Sequence, residues 1–333
     1  RRRATCVHPS MSSPSSPSPT DDVPGSLVVI NPHASHARDA TTLAALTERL
    51  GQVLGERDGA PPSLVETGSP EDVAPLVNDA VTDGVVSVVG VGGDGTMRDI
   101  AAVVAGTGVP LGIIPAGTGN QVAAVLGIPL SPVEGVGALE QAQVRTLDLG
   151  DVNVELEGAA PTVSTFILGC GAGFDAELMA STPSGLKRRL GAAAYFLQGA
   201  RMVLRLKATP CRVTVDDETF DTAATAVLIG NLGQLVPGRL DLRLPLDPVD
   251  GLLDLIVVGA SNPVAGMRGL LDQLRRSELG GGSDEASIRR RGRVIRIEPE
   301  QPLALEVDGD YVGRGALEAR VRPGALQVLA PPV

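Results

Sequence analysis

The sequence contains no tryptophan, two tyrosines and four phenylalanines in 333 residues, so its core must be built almost wholly from aliphatic side chains. Platforms that stack nucleic-acid bases need aromatic faces, and these are missing. Positive charge is scarce too: 28 Lys and Arg against 39 Asp and Glu leave a formal net charge of −11, the reverse of a nucleic-acid binder's basic footprint. Histidine occurs three times, at His8, His33 and His36. A Ser-His-Asp hydrolase would have to draw its base from the first 36 residues, and no GxSxG elbow occurs. The three cysteines, Cys6, Cys170 and Cys211, are odd in number and far apart, with no CxxC pair. That excludes a disulfide framework and a Cys/His zinc site, and it fits a reducing cytoplasm. No run of about 18 uninterrupted apolar residues is available to span a membrane. Chemistry here has to rest on carboxylates, hydroxyls and backbone amides, with or without a hard metal ion.

Residues 1–24 are rich in Arg, Ser and Pro, lack the apolar core of a signal peptide, and read as a disordered tail in which Met11 is a candidate start. Over residues 25–147 short aliphatic runs alternate with helical periodicity. Strands are predicted at 27–30, 63–66, 85–91 and 111–114. Helices are predicted over 38–54, from Ser69-Pro70-Glu71 onward, over 97–104, and in a segment ending before Gly127. This pattern predicts right-handed βαβ units on a parallel sheet, a Rossmann-like domain, whose ligands bind beyond the carboxyl ends of the strands. Asn31, Thr67, the GGDGT run 92–96 and the PAGTGN run 115–120 all fall at those ends.

Strands dominate from 148 to 331: at 163–168, 212–215, 224–229, 252–258, 294–297, 303–307, 317–321 and 326–329. They are β-branched and punctuated by Gly, Pro and Asp, which predicts an antiparallel β-sandwich. A helical stretch over 184–207 carries Lys187, Arg188, Arg189, Arg201, Arg205 and Lys207 without an acidic residue. Together with the predicted loop Arg289 to Arg293, it is either a solvated basic face or a docking surface for anionic lipid headgroups.

Gly92, Gly93 and Gly95 let backbone amides approach a ligand, and the helix that follows presents its unpaired N–H groups and partial positive charge. Such a turn is either a plain βα connection with aspartate as N-cap or a phosphate cradle. PAGTGN repeats the design with Gly117 and Gly119 for approach and Thr118 and Asn120 as donors, and two such turns on neighbouring strands favour the cradle. Asp94 among phosphates would call for a bridging Mg²⁺ or act as a base. Neither a Walker A motif nor a GxGxxG after the first strand is present. Asp308-Gly309-Asp310 follows an alternating strand and reads equally as a hairpin turn; Asp247, Asp250 and Asp254 read equally as a solvated acidic turn.

GGDGT with GIIPAGTGN (112–120) and Gly127-Ile128-Pro129 resembles the nucleotide-binding half of the diacylglycerol kinase catalytic domain group, which includes bacterial lipid kinases and sphingosine kinases. TLDLGDVN (146–153), GAGFDAELM (171–179), LKRRLGAAAYFLQG (186–199), LPLDPVDGLLDLIVV (244–258), ALEVDGD (304–310) and VRPGALQVLAP (321–331) are similar, in order, to the rest of that family. The resemblance implies ATP- and Mg²⁺-dependent phosphorylation of a lipid hydroxyl; the cysteines point to a cytoplasmic protein, the basic stretch would hold it at the inner face of the membrane, and the acidic balance gives it no nucleic-acid partner. Carried over by position, it implies ATP contacts at Asn31, Pro32, His33, Ala34 and Ser35, at Thr67, at Gly92, Gly93, Asp94, Gly95, Thr96, Met97 and Arg98, and at Thr118 and Asn120. It further implies Asp308 as proton acceptor with Asp310 beside it, and a structural Mg²⁺ at Asp250 with carbonyls near Asp247 and Leu252. The closing segment must then return to the cleft between the halves. Departures from the family pattern stand at Ala34-Ser35, Gln121, Pro237-Gly238 and Asp310. Other readings are a small-molecule kinase of the NAD kinase type and a non-catalytic nucleotide or lipid sensor. The lipid itself and the oligomeric state are not written in these motifs.

Overall fold

The computed structural model describes residues 25–35, 40–173, 208–233, 246–259 and 287–332. The tail 1–24, the GFDA run after its glycine, the basic stretch 184–207 and Pro237-Gly238 lie outside the described residues.

The front half is a parallel sheet of β1 (Leu27–Ile30), β2 (Ser63–Glu66), β3 (Val88–Gly92) and β4 (Leu111–Pro115), in the order β4-β3-β1-β2. Strands β1, β3 and β4 are buried at every position, the continuous apolar run that a sheet covered on both faces requires. Helices α1 (Ala40–Asp58) and α5 (Pro132–Leu139) cover one face, where Leu46, Leu50, Leu54, Val136 and Leu139 pack on Val28, Ile30, Val89 and Val91. On the other face, α2 (Val73–Thr82), α3 (Asp94–Val104) and α4 (Gln121–Val125) bring Val77, Met97, Ile100 and Val122 against Val29, Val88 and Ile113. Helix α5 has no strong propensity, since it holds Gly135 and Gly137; it forms because Val136 and Leu139 are buried and Gly135 packs against Pro115.

The back half is antiparallel throughout: β5 (Gln143–Leu156), β6 (Thr162–Phe166), β7 (Gly169–Gly173), β8 (Thr209–Val215), β9 (Glu218–Ala224), β10 (Ala226–Gly230), β11 (Leu253–Val258), β12 (Ser287–Gly292), β13 (Val294–Pro299), β14 (Leu303–Val307) and β15 (Asp310–Ala330). They enclose an apolar core that includes Val152, Phe166, Val213, Val227, Leu255, Ile295 and Leu317. The predicted strands 317–321 and 326–329 are one element. β15 runs for 21 residues, interrupted by a register shift between Arg322 and Leu326 where Gly324 adopts φ +59°. The predicted loop Arg289 to Arg293 is mostly β12, because alternate arginines find acidic partners on β11.

Strand β15 determines where the functional groups lie. At its start it turns back on β14 through Asp308-Gly309, and at its end Val328 and Leu329 pair in parallel with Leu111 and Gly112 of β4. The chain's last strand is therefore a fifth neighbour in the front sheet, and one sheet passes through both halves. The predicted mixed architecture, parallel α/β in front and antiparallel β behind, is the observed one.

Candidate active site

The carboxyl ends of β1, β2, β3 and β4 form a rim, and the predicted turns meet there. Thr67 donates its backbone N–H (3.0 Å) and its hydroxyl (3.3 Å) to the Ile30 carbonyl, so this buried threonine ties β2 to β1. Asn31 donates its backbone N–H to Val91 O and its side-chain amide to Thr96 Oγ1 (3.1 Å), and it accepts from the His33 N–H (2.9 Å). Where the family pattern has Ser-Gly after this Asn-Pro turn, Ala34 is buried and Ser35, in the glycine's place, donates its hydroxyl to the Ala116 carbonyl (3.2 Å). The altered turn is thus fastened to the PAGTGN run.

Helix α3 begins at Asp94, earlier than the periodicity of 97–104 indicates, so Asp94, Gly95 and Thr96 are its first turn. Their amides lack intrahelical acceptors and point off the helix N-terminus. Gly92 is required by Thr96, since a Cβ on it would lie 2.5 Å from Thr96 Oγ1. A Cβ on Gly117 would lie 2.5 Å from Gly93 Cα, so the two glycine turns touch backbone to backbone. Asp94 accepts the Val122 N–H (3.0 Å) at the start of α4, with its other oxygen beside Gly119. One carboxylate therefore locks the two turns together.

Two residues expected to meet nucleotide are turned elsewhere. Asn120, in the left-handed region at φ 52°, spends its side chain on Gly117, accepting that residue's N–H and donating to its carbonyl, both at 2.9 Å. It shapes the turn. The Met97 side chain is core, packed beneath Gly90, which leaves only its backbone near the rim. Thr118 and His33 are exposed, and Pro32 is half-buried.

Arg98 lies four residues past Asp94, roughly one helical turn or ~6 Å along α3. Its Nη1 donates to the Val307 carbonyl (3.2 Å) and to Asp310 Oδ2 (3.0 Å). The hairpin that carries Asp308 is therefore clamped to the helix that begins in GGDGT. Asp308 sits in the left-handed region at φ 48°, and its carboxylate accepts three backbone N–H groups: Ile167 at 2.9 Å, Leu168 at 2.8 Å and Gly169 at 3.1 Å. Burial pushes its pKa up to about 6, against the lowering pull of those amides and of Arg98.

Sequence reasoning missed the groups that hold this arrangement. Buried Glu306 accepts the Gly309 N–H (2.8 Å). Buried Asn231 donates to the carbonyls of Ile167 (2.8 Å) and Asp148 (2.9 Å), gripping the far side of the peptides that Asp308 holds. Asp148 accepts from Gly251 and Gly324, each at 2.7 Å. It stood in the TLDLGDVN run, but nothing local marks its partners. Cys170, beneath the hairpin, has its thiol pushed well up by burial and by Glu306 and Asp308, so it stays neutral.

The carboxylates of the acidic turn have partners within the protein. Asp250 Oδ2 is ion-paired with Arg291 and its Oδ1 accepts the Leu252 N–H (3.0 Å); Asp247 accepts the Val249 N–H (3.2 Å). Among the described residues no three His, Cys, Asp or Glu side chains converge as a metal site.

A glycine-lined rim at the strand ends, closed over by a carboxylate hairpin from an antiparallel back half, defines the diacylglycerol kinase architecture. Residues 25–152 match the family model described as the diacylglycerol kinase catalytic domain, and residues 169–330 match the YegS C-terminal NAD kinase beta sandwich-like domain. A Pseudomonas aeruginosa protein named "Probable lipid kinase YegS-like" is 33% identical over 264 residues, 78% of this chain and 82% of that one. Its namesake from Pseudomonas syringae pv. tomato is 34% identical over 263 residues, 78% of this chain and 81% of the other. A crystal structure of a diacylglycerol kinase from Bacillus anthracis superposes with a TM-score of 0.68 at 18% identity, covering 92% of this chain and 97% of that one, which establishes likeness of fold. The chain belongs to the YegS-like lipid kinase family. Among the described residues no helix is long and apolar enough to cross a membrane.

Proposed function

We propose that the chain transfers the γ-phosphate of ATP to the hydroxyl of a lipid of the diacylglycerol or sphingosine kind. The observation that carries this reading is the Arg98 clamp, which holds the Asp308 hairpin against the helix rising from the glycine turns. The phosphates would lie on the amides of 93–96 and beside Thr118, with the nucleoside toward Asn31 to Ser35 and Thr67. Mg²⁺ would neutralise charge on the phosphate oxygens, and Asp94 fits it: one oxygen is fixed by Val122 while the other faces the PAGTGN turn. Asp308 would take the hydroxyl proton as that oxygen bonds to the γ-phosphorus and ADP leaves with the electrons of the breaking P–O bond. A carboxylate has about four acceptor sites. Three are filled by backbone N–H groups, which leaves one for the substrate.

A base with pKa about 6 is ionised at neutral pH, so lipid phosphorylation should fall on the acid side of pH 6, about tenfold per pH unit. The charged groups around it are Arg98 and Glu306, with Asp99 and Asp310 beside Arg98. Removing the positive charge in Arg98→Met should move that acid limb to higher pH, and Arg98→Lys should restore it. An unmoved limb in Arg98→Met would separate Arg98 from the base.

The reaction itself is tested with γ-labelled ATP, Mg²⁺ and mixed micelles holding diacylglycerol, sphingosine, ceramide or phosphatidylglycerol in turn. The expected result is label in an organic-soluble product made from one of them. Label only in water-soluble products, or ATP binding without transfer, would contradict it. Arg289 and Arg291 are occupied by Asp254 and Asp250, and Arg290 lies over the Phe220 ring at 5.8 Å, so a membrane-docking role for this run would rest on the exposed Arg290 and Arg293.

A further inference from the structure

We infer that the guanidinium of Arg291 takes the place of a structural divalent cation, holding the 247–252 turn to the sheet without metal. Asp254 and Arg291 are opposite each other in the β11–β12 register, and Arg289, two residues away, shares the same face. The buried Asp254 carboxylate receives Arg289 Nη2 at 2.7 Å and Nε at 3.2 Å on one oxygen, and Arg291 Nε at 3.3 Å on the other. The far end of Arg291 reaches Asp250, so one planar fork bridges two carboxylates. Two arginines face two aspartates, and the cluster is neutral. A divalent ion placed at Asp250 would meet the guanidinium at close range and leave the group with net positive charge.

The backbone of the turn is equally committed. Pro248 O accepts the Asp148 N–H at 2.7 Å, and Gly251 donates to Asp148 Oδ2 at 2.7 Å. Asp247 and Asp250 each accept an N–H two residues ahead in their own turn. Of the groups that would serve as metal donors, the Asp250 carboxylate is used inside the protein, by Arg291 and the Leu252 N–H. This pairing belongs to folding and is independent of the transfer reaction.

The test is metal analysis and thermal unfolding of the full chain, without nucleotide, after chelation and again in Mg²⁺ or Ca²⁺. The wild type is expected to hold substoichiometric metal and to keep the same Tm in both conditions. Stoichiometric metal, or a Tm that drops with chelator and recovers with Mg²⁺, would overturn the inference. Arg291→Gln frees Asp250, and its Tm should fall by several degrees and then rise by about 2–4 °C in excess Mg²⁺. That response should vanish when Asp250→Asn is added. A folded Arg291→Gln variant indifferent to Mg²⁺ would count against the substitution of cation by guanidinium, and if it fails to fold the wild-type measurements still decide.

Discussion

Asp308→Asn is expected to cut lipid phosphorylation by about 10²–10⁴-fold, the range for loss of a general base. ATP binding should stay near the wild-type level. Asparagine keeps one oxygen to accept from Leu168 and Gly169 but turns an NH₂ toward the Ile167 N–H, so the hairpin is strained locally and not dismantled. A residue that only anchored residues 167–169 would show loss of stability with activity falling in proportion. Proton acceptance leaves a different signature: wild-type activity depends on pH through about 6, and the residual activity of the asparagine variant does not. Stability carries the same group with the opposite sense. The folded pKa of about 6 lies above the ordinary 3.8, so the ionised carboxylate opposes folding above pH 6, and this cost fades as pH falls from about 6 toward 3.8. Near-normal transfer by Asp308→Asn would refute its assignment as base.

Gly117→Ala should be the most damaging single methyl group in the two glycine turns. Its Cβ would stand 2.5 Å from the Cα of Gly93, backbone against backbone, and 3.0 Å from Asn120 Oδ1. Neither neighbour is the free end of a flexible side chain, so the PAGTGN turn has to move away from GGDGT and break the Asp94–Val122 bond that joins them. Displacement of reacting groups by about 1 Å costs on the order of 10²-fold in rate. Isothermal titration with an ATP analogue should report weakened binding, while circular dichroism shows a folded chain. Gly55→Ala, near the end of α1, is the control, since nothing lies within 4 Å of a Cβ there. Equal binding by wild type and Gly117→Ala would mean the phosphates do not use these turns.

The glycine turns were legible because their signals are local: aliphatic runs that end in glycine, with a helix period behind them. Strand and helix positions in the front half followed for the same reason, apart from α5, which burial forms despite its glycines. The proposed base was legible only through resemblance, since Asp308-Gly309 is also an ordinary hairpin turn. Arg98 could be placed near the phosphates but not on the hairpin, because its acceptor Val307 lies 209 positions away. The same distance problem hid Asp148 and Asn231, and it made a strand of paired arginines look like a basic loop.

The central claim is that the glycine turns and the hairpin at 307–310 are two walls of one site. A crystal structure of the chain with a non-hydrolysable ATP analogue and Mg²⁺ tests it most directly. The expected complex has the phosphates against the amides of 93–96 and the 117–119 turn, with the γ-phosphate end facing Asp308 and Arg98. A nucleotide seated elsewhere, or one whose γ-phosphate points away from that hairpin, would contradict the claim.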